Sequence, residues 1–129
     1  DRVESITIER MHNFKELKIW QESMGVAKEI FDITKKFPAE EKYGLISQLN
    51  RASVSVPSNI AEGAGRESQK EFNQFLNIAL GSCFEIETQL ILSKEFNYIS
   101  EEKLQTLTEK VTRIQRMISK LKYSIKQTS

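Results

Sequence analysis

Three features of this sequence predict an all-α chain, an antiparallel up-down-up-down four-helix bundle. Only five glycines and two prolines interrupt 129 residues. Apolar residues recur at spacings of three and four through long segments. After Met11 no stretch alternates apolar and polar residues over the length of a strand.

The first helix is expected from about Glu16 to Lys36. Ile19, Ser23, Val26, Ile30, Ile33 and Phe37 form one stripe along it, and Trp20, Met24, Ala27, Phe31 and Thr34 a second beside it. Together they make a wider apolar face than one helix contact requires. The second helix is expected to start at Pro38, whose missing N–H would lack a partner in a first turn anyway. Glu40 and Glu41 then face the positive end of the helix dipole. Leu45, Leu49, Ala52, Val56 and Ile60 point to the core. Pro57 removes the bond to the Ser53 carbonyl and is expected to bend the helix. Gly63 and Gly65 are expected to end it.

The third helix is expected from about Ser68 to Phe96, with Ser68 and Glu71 spaced as a capping box. Its core face is Phe72, Phe75, Leu76, Ala79, Cys83, Ile86 and Leu90. Asn97 to Ser100 reads as a turn, with Ser100 capping the fourth helix, about Glu101 to Lys126. There Leu104, Leu107, Val111, Ile114, Ile118, Leu121 and Ile125 alternate three and four apart, the seam of left-handed bundle packing. Helices of this length span roughly 35–45 Å, and their short connections force the up-down order.

The length suits a single domain, residues 14–129, preceded by a flexible N-terminal extension over 1–13. Met11 fits a natural start, and Asp1 to Arg10 lacks the apolar segment of a signal peptide. No apolar run in the sequence approaches the roughly 18 residues that span a bilayer, so no membrane partner is expected. Nineteen basic against eighteen acidic residues leave the net charge near zero, which argues against a strongly basic nucleic-acid coat. The single Cys83 allows no intrachain disulfide and suits a cytoplasmic location, and it reads as a small buried hydrophobe.

Chemistry finds little purchase. A di-iron bundle needs inward carboxylates and a Glu-x-x-His pair, yet the one histidine, His12, lies outside the helices. The same position rules against thiolate–imidazole catalysis with Cys83. Gly63-Ala64-Gly65-Arg66 superficially resembles a phosphate loop, but no strand precedes it and no Gly-Lys-Ser/Thr follows. No catalytic residue, metal or cofactor is expected.

Two features stand out from the core pattern. Gln48, Arg51, Ser55, Asn59 and Glu62 form a polar stripe beside the apolar one on the second helix. Ile78, Ser82, Glu85 and Gln89 form a corresponding stripe on the third. Such boundary groups need partners when buried. They read either as a hydrogen-bonded network fixing register or as a subunit interface or ligand site. Arg51, Asn59, Glu62 and Glu85 are expected to be hydrogen-bonded and partly buried. With the hairpin turning at residues 63–66, Gln48 is expected level with Ser82, and Arg51 about two turns from Glu85. The second feature is an acid-free stretch after Glu109 carrying Lys110, Arg113, Arg116, Lys120, Lys122 and Lys126. These cations either complement the helix dipole or contact phosphates. No base-reading motif accompanies them.

Specific residues carry a family resemblance. They are Phe14-Lys15-Glu16-Leu17-Lys18-Ile19-Trp20-Gln21, then Phe37-Pro38, then Tyr43-Gly44-Leu45 with Gln48. The most distinctive run is Arg51-Ala52-Ser53-Val54-Ser55-Val56-Pro57-Ser58-Asn59-Ile60-Ala61-Glu62-Gly63, followed by Arg66, Phe72, Phe75-Leu76, Ala79, Gly81-Ser82 and Glu85. From Met11 to about Tyr98 the chain resembles the bacterial 23S ribosomal RNA intervening-sequence protein family. The fourth helix matches in pattern only. The resemblance implies a four-helix bundle assembling as a ring-like homopentamer. It also implies kinship with accessory proteins of diversity-generating retroelements, which bind nucleic acid and a reverse transcriptase. Those proteins are strongly basic and this chain is not.

Two functions are therefore expected to compete. One is a non-enzymatic oligomeric bundle that binds structured RNA or DNA through basic helix faces. The other is a protein–protein scaffold, or an accessory subunit of a reverse transcriptase, without direct nucleic-acid contact. Self-association is expected on physical grounds too, because the first and third helices carry more apolar surface than one bundle core covers.

Overall fold

The structure, a computed structural model, describes residues 13–128. The expectations for residues 1–12 and for the Lys126 side chain lie outside the described residues. Four helices and no strand occur among them: α1 (Lys18–Thr34), α2 (Leu45–Ala64), α3 (Gln69–Glu95) and α4 (Glu101–Thr128). Each helix packs on its neighbours in the chain, and α1 also packs on α4. Side-chain pairs give the directions. Ser55 meets Ser82 and Gln48 meets Gln89, so α2 and α3 run antiparallel. Arg113 meets Glu22 and Lys110 meets Glu29, so α4 and α1 do as well.

The expected apolar stripes meet at the centre. Ile19, Val26 and Ile30 of α1, Leu49, Val56 and Ile60 of α2, Phe72, Leu76 and Ile86 of α3, and Leu107, Ile114 and Ile118 of α4 are all buried. Cys83 is buried among them, and its desolvated thiol is pushed up to about 12, with Glu87 adding to the effect. α3 by itself is long and apolar enough to cross a membrane, which counting uninterrupted apolar runs passed over. Its buried residues nonetheless pack as one face of the core, from Phe72 through Cys83 to Leu90.

The helix ends show what terminates each element. The Ser68 hydroxyl accepts the Glu71 N–H and starts α3, and Ser100 does the same for Lys103 and α4. α2 starts later than expected. Pro38 opens only a 3-10 turn, Ala39–Glu41, and Gly44 breaks the helical path before Leu45. A carboxylate Oε1 of Glu41 accepts the Leu45 N–H in its place, and a Cβ at Gly44 would collide with that oxygen. At its other end α2 runs through Gly63 to Ala64, and Gly65 caps it in a right-handed conformation. Gly63 is needed for packing, because a Cβ there would lie 2.7 Å from Phe75 Cβ and 2.9 Å from Phe72 Cδ1. α2 continues helical through the buried Pro57.

Candidate functional site

The polar stripes of α2 and α3 face each other across a groove. The level pairs are Ser55 with Ser82, whose hydroxyls are 2.8 Å apart, and Gln48 with Gln89, whose amides are 3.4 Å apart. This differs from the expected register, which set Gln48 beside Ser82. The hairpin is centred nearer residue 68, because α2 persists to Ala64 and Gly65–Ser68 form the turn. One consequence is chemical. Arg51 and Glu85, expected two turns apart, line the same groove with Tyr43, Ser47, Gln48, Ala52, Ser55 and Gln89. Its volume is about 490 Å³.

The network is real at the floor and open at the rim. Asn59 donates to the Ser55 carbonyl at 2.8 Å and to its hydroxyl at 3.0 Å. Ser82 and Gln89 are buried. Arg51, Glu62 and Glu85 are exposed, against the expectation of partial burial. Glu62 pairs with Arg66 one turn on, at 2.8 Å. Neither Arg51 nor Glu85 makes a side-chain hydrogen bond or ion pair among the described residues. Their positions on the groove's lips, rather than its floor, leave them in solvent.

The basic residues of α4 divide. Arg113 donates to both carboxylate oxygens of Glu22, from Nε at 2.8 Å and Nη2 at 3.2 Å. That pairing raises the Arg113 pKa above its ordinary value, the hydrogen bonds first and the nearby charge second. Lys110 holds Glu29 at 2.8 Å and 2.9 Å. These two cations therefore tie α4 to α1, in a way the α4 sequence alone could not show. Their carboxylate partners lie about ninety and eighty residues away in the chain. Arg116 is exposed, while Lys120 and Lys122 are partly covered.

A third surface carries apolar residues. Trp20, Met24, Ala27 and Phe31 of α1 with Val54, Pro57 and Ala61 of α2 line a groove of about 780 Å³. Met24 is 45% and Phe31 55% exposed. On the outer side of α3, Phe84 and Ile91 are about half exposed, two turns apart. Of the second stripe of the first helix, Met24 and Phe31 face outward, Trp20 and Ala27 are half-buried, and Thr34 is buried. No group of three or more His, Cys, Asp or Glu suited to a metal ion occurs among the described residues.

The comparisons with known proteins agree with this architecture. A crystal structure from Bacteroides thetaiotaomicron, a protein of unknown function from the S23 ribosomal protein family, has a similar fold. Its TM-score is 0.72 at 22% identity, covering 91% of this chain and 98% of that one. At that identity the likeness establishes the fold. No curated protein matches the chain. A family model described as 23S rRNA-intervening sequence protein matches residues 15–120, from before α1 into the last third of α4. The bundle and the family match together place the chain in the 23S rRNA-intervening sequence protein family.

Proposed function

We propose that this protein is a non-enzymatic, self-associating helical scaffold. The observation that carries the reading is the apolar groove of α1 and α2, with Met24 and Phe31 left in solvent beside the half-buried Trp20. A contiguous apolar patch of this kind on a single chain marks an interaction surface. The outward Phe84 and Ile91 of α3 supply a second, unlike apolar face. Contact between unlike faces is heterologous and closes into a ring when the rotation allows. The family resemblance implies five copies. A reverse transcriptase is the protein partner that the same resemblance implies, and the scaffold would present it with repeated surfaces. Light scattering of the full chain at micromolar concentration tests the assembly. An oligomer is expected, and Phe31→Glu combined with Phe84→Glu should yield folded monomers. A wild-type monomer under those conditions refutes the reading.

A second reading, binding of structured RNA or DNA, is favoured by one observation. Arg116 projects into solvent without an ion pair among the described residues, on the acid-free part of α4. Lys120 and Lys122 follow it along the helix. The ion pairs of Lys110 and Arg113 engage those two members of the expected phosphate-contacting set with carboxylates of α1. In a ring such weak contacts would repeat and sum. The test is a titration with a 23S ribosomal RNA fragment at several salt concentrations. Binding that weakens steeply with salt, and a flatter slope when Arg116, Lys120 and Lys122 are changed together to Gln, support it. No binding even at low salt removes it.

A further inference from the structure

We infer that the polar groove between α2 and α3 binds one guanine nucleotide, with Glu85 and Gln89 accepting from the base and Arg51 holding the phosphate. The groove is a built site. Gln89 is 8% exposed, lines the groove, and its Oε1 has no hydrogen-bond partner. A buried amide oxygen without a donor is rare in a folded protein and points to a missing partner. The only bond between the two glutamine amides is long, Gln89 Nε2 to Gln48 Oε1 at 3.4 Å, beyond the usual range for such bonds. Gln89 Oε1 is shielded from solvent, so a ligand reaches it by displacing a covering side chain, and the exposed Gln48, held to Gln89 by that one long bond, is the side chain able to move.

The lining decides the chemistry. Glu85 is a carboxylate and accepts only. With Gln89 Oε1 it makes an acceptor pair on the α3 side of the groove. Guanine presents N–H donors from its ring and its exocyclic amine in one plane, more than adenine or cytosine offers on its edge. Arg51 faces Glu85 from α2, always charged, with a planar fork matched to phosphate oxygens. Neither charged group has a partner to give up among the described residues. Tyr43 stands 86% exposed at one end of the groove, with Lys42 Nζ 5.5 Å from its ring centre. It offers a flat face for a base and a second cation beside it. A zwitterionic amino acid would satisfy Arg51 and Glu85, but it would fill little of about 490 Å³ and leave Tyr43 unused. From Ser47 to Ser55 the groove runs about 12 Å along α2, the length of a nucleotide.

The site is separate from the apolar grooves and from α4, so it stands or falls apart from the scaffold reading. The experiment titrates guanosine 5′-monophosphate, adenosine 5′-monophosphate and a short single-stranded oligonucleotide with one guanine into the full chain. Calorimetry gives affinity, and the side-chain amide resonances of Gln48 and Gln89 give location. Guanine should be preferred over adenine by about tenfold, with both amides shifting. Glu85→Gln should abolish that preference, and Arg51→Gln should weaken every nucleotide by about tenfold. Binding of the free nucleotide assigns the groove to a metabolite. Binding of the oligonucleotide alone, with the same response to Glu85→Gln, assigns it to a base presented on a strand. Absence of both, or binding indifferent to both substitutions, overturns the proposal. So does a change of assembly state in Arg51→Gln without nucleotide binding, since the groove would then be a subunit contact.

Discussion

Gly63 shows how one atom constrains the α2–α3 crossing. A Cβ there would lie 2.7 Å from Phe75 Cβ and 2.9 Å from the ring of the fully buried Phe72, so α2 and α3 would have to move apart to admit it. Gly63→Ala should cost about 1–3 kcal/mol through overpacking, read as a lower urea midpoint. Gly65→Ala is its control. That position is right-handed and a Cβ meets only ordinary contacts, 3.6 Å to the Glu62 carbonyl, so the midpoint should hardly move. Glu41 is a second residue with a measurable role. Its carboxylate accepts the Leu45 N–H and the Tyr98 hydroxyl, the latter at 2.7 Å. Those bonds, Leu45 first, hold the Glu41 carboxyl below its ordinary 4.5. The same bond raises the Tyr98 phenol above 10. A depressed carboxylate stabilises the fold above its unfolded pKa and loses that effect as pH falls through the folded value. A raised phenol stabilises below its unfolded pKa and loses the effect as pH rises through the folded one. The clasp is therefore fully formed between these limits. Glu41→Gln should lower the melting temperature at pH 7 and leave a shallower decline below pH 4.5 than wild type shows. Equal acid-side slopes would count against it.

Each helix is stabilised by one buried stripe, and the stripes are not equally replaceable. The α4 seam is the cleanest, with Leu107, Val111, Ile114, Ile118 and Leu121 all buried. Ile118 is wholly enclosed, so Ile118→Ala should cost about 2–5 kcal/mol, checked by chemical denaturation. The polar flank of α4 does a different job. Glu22–Arg113 and Glu29–Lys110 fix α1 against α4 on one side, and Gln115 donates to Glu87 of α3 at 2.8 Å on the other. Changing Lys110 and Arg113 together to Gln should lower the melting temperature slightly, and less so in high salt, because exposed pairs are screened. RNA affinity lost with no change in melting temperature would return these two residues to the phosphate-contacting surface.

At the scale of the whole molecule, the question is which surfaces the bundle leaves over. Three stand out among the described residues: the apolar α1–α2 groove, the apolar outer face of α3, and the polar α2–α3 groove. On the proposed scaffold reading the first two serve self-association, and their removal should act on assembly before stability. Phe31→Glu touches no buried core residue's position and exchanges an exposed ring for a charge. Sedimentation of that variant should show a smaller species with an unchanged helical spectrum. Lys35 lies 4.7 Å from the Phe31 ring centre, so the introduced carboxylate would find a cation nearby in the monomer. Unaltered sedimentation would exclude this groove from the subunit contact.

The sequence alone determined the helices, their capping serines and the core stripes, because each depends on neighbours within one or two turns. Ser68 and Ser100 cap where spacing says they should. The surplus width of the first helix correctly implied an outward apolar surface. The family was legible too, through the run from Arg51 to Gly63. The start of α2 was not, since it turns on the conformation of Gly44 and a carboxylate reaching forward from Glu41. Nor was the α2–α3 register. Shifting the turn centre a few residues moves facing partners twice as far, so Gln48 meets Gln89 instead of Ser82. Only the tertiary structure brought Arg51 and Glu85 to one groove and gave Arg113 and Lys110 their partners on α1. Periodicity states which face a residue occupies. What stands opposite that face depends on how the helices are packed, and it is set by contacts between residues far apart in the chain.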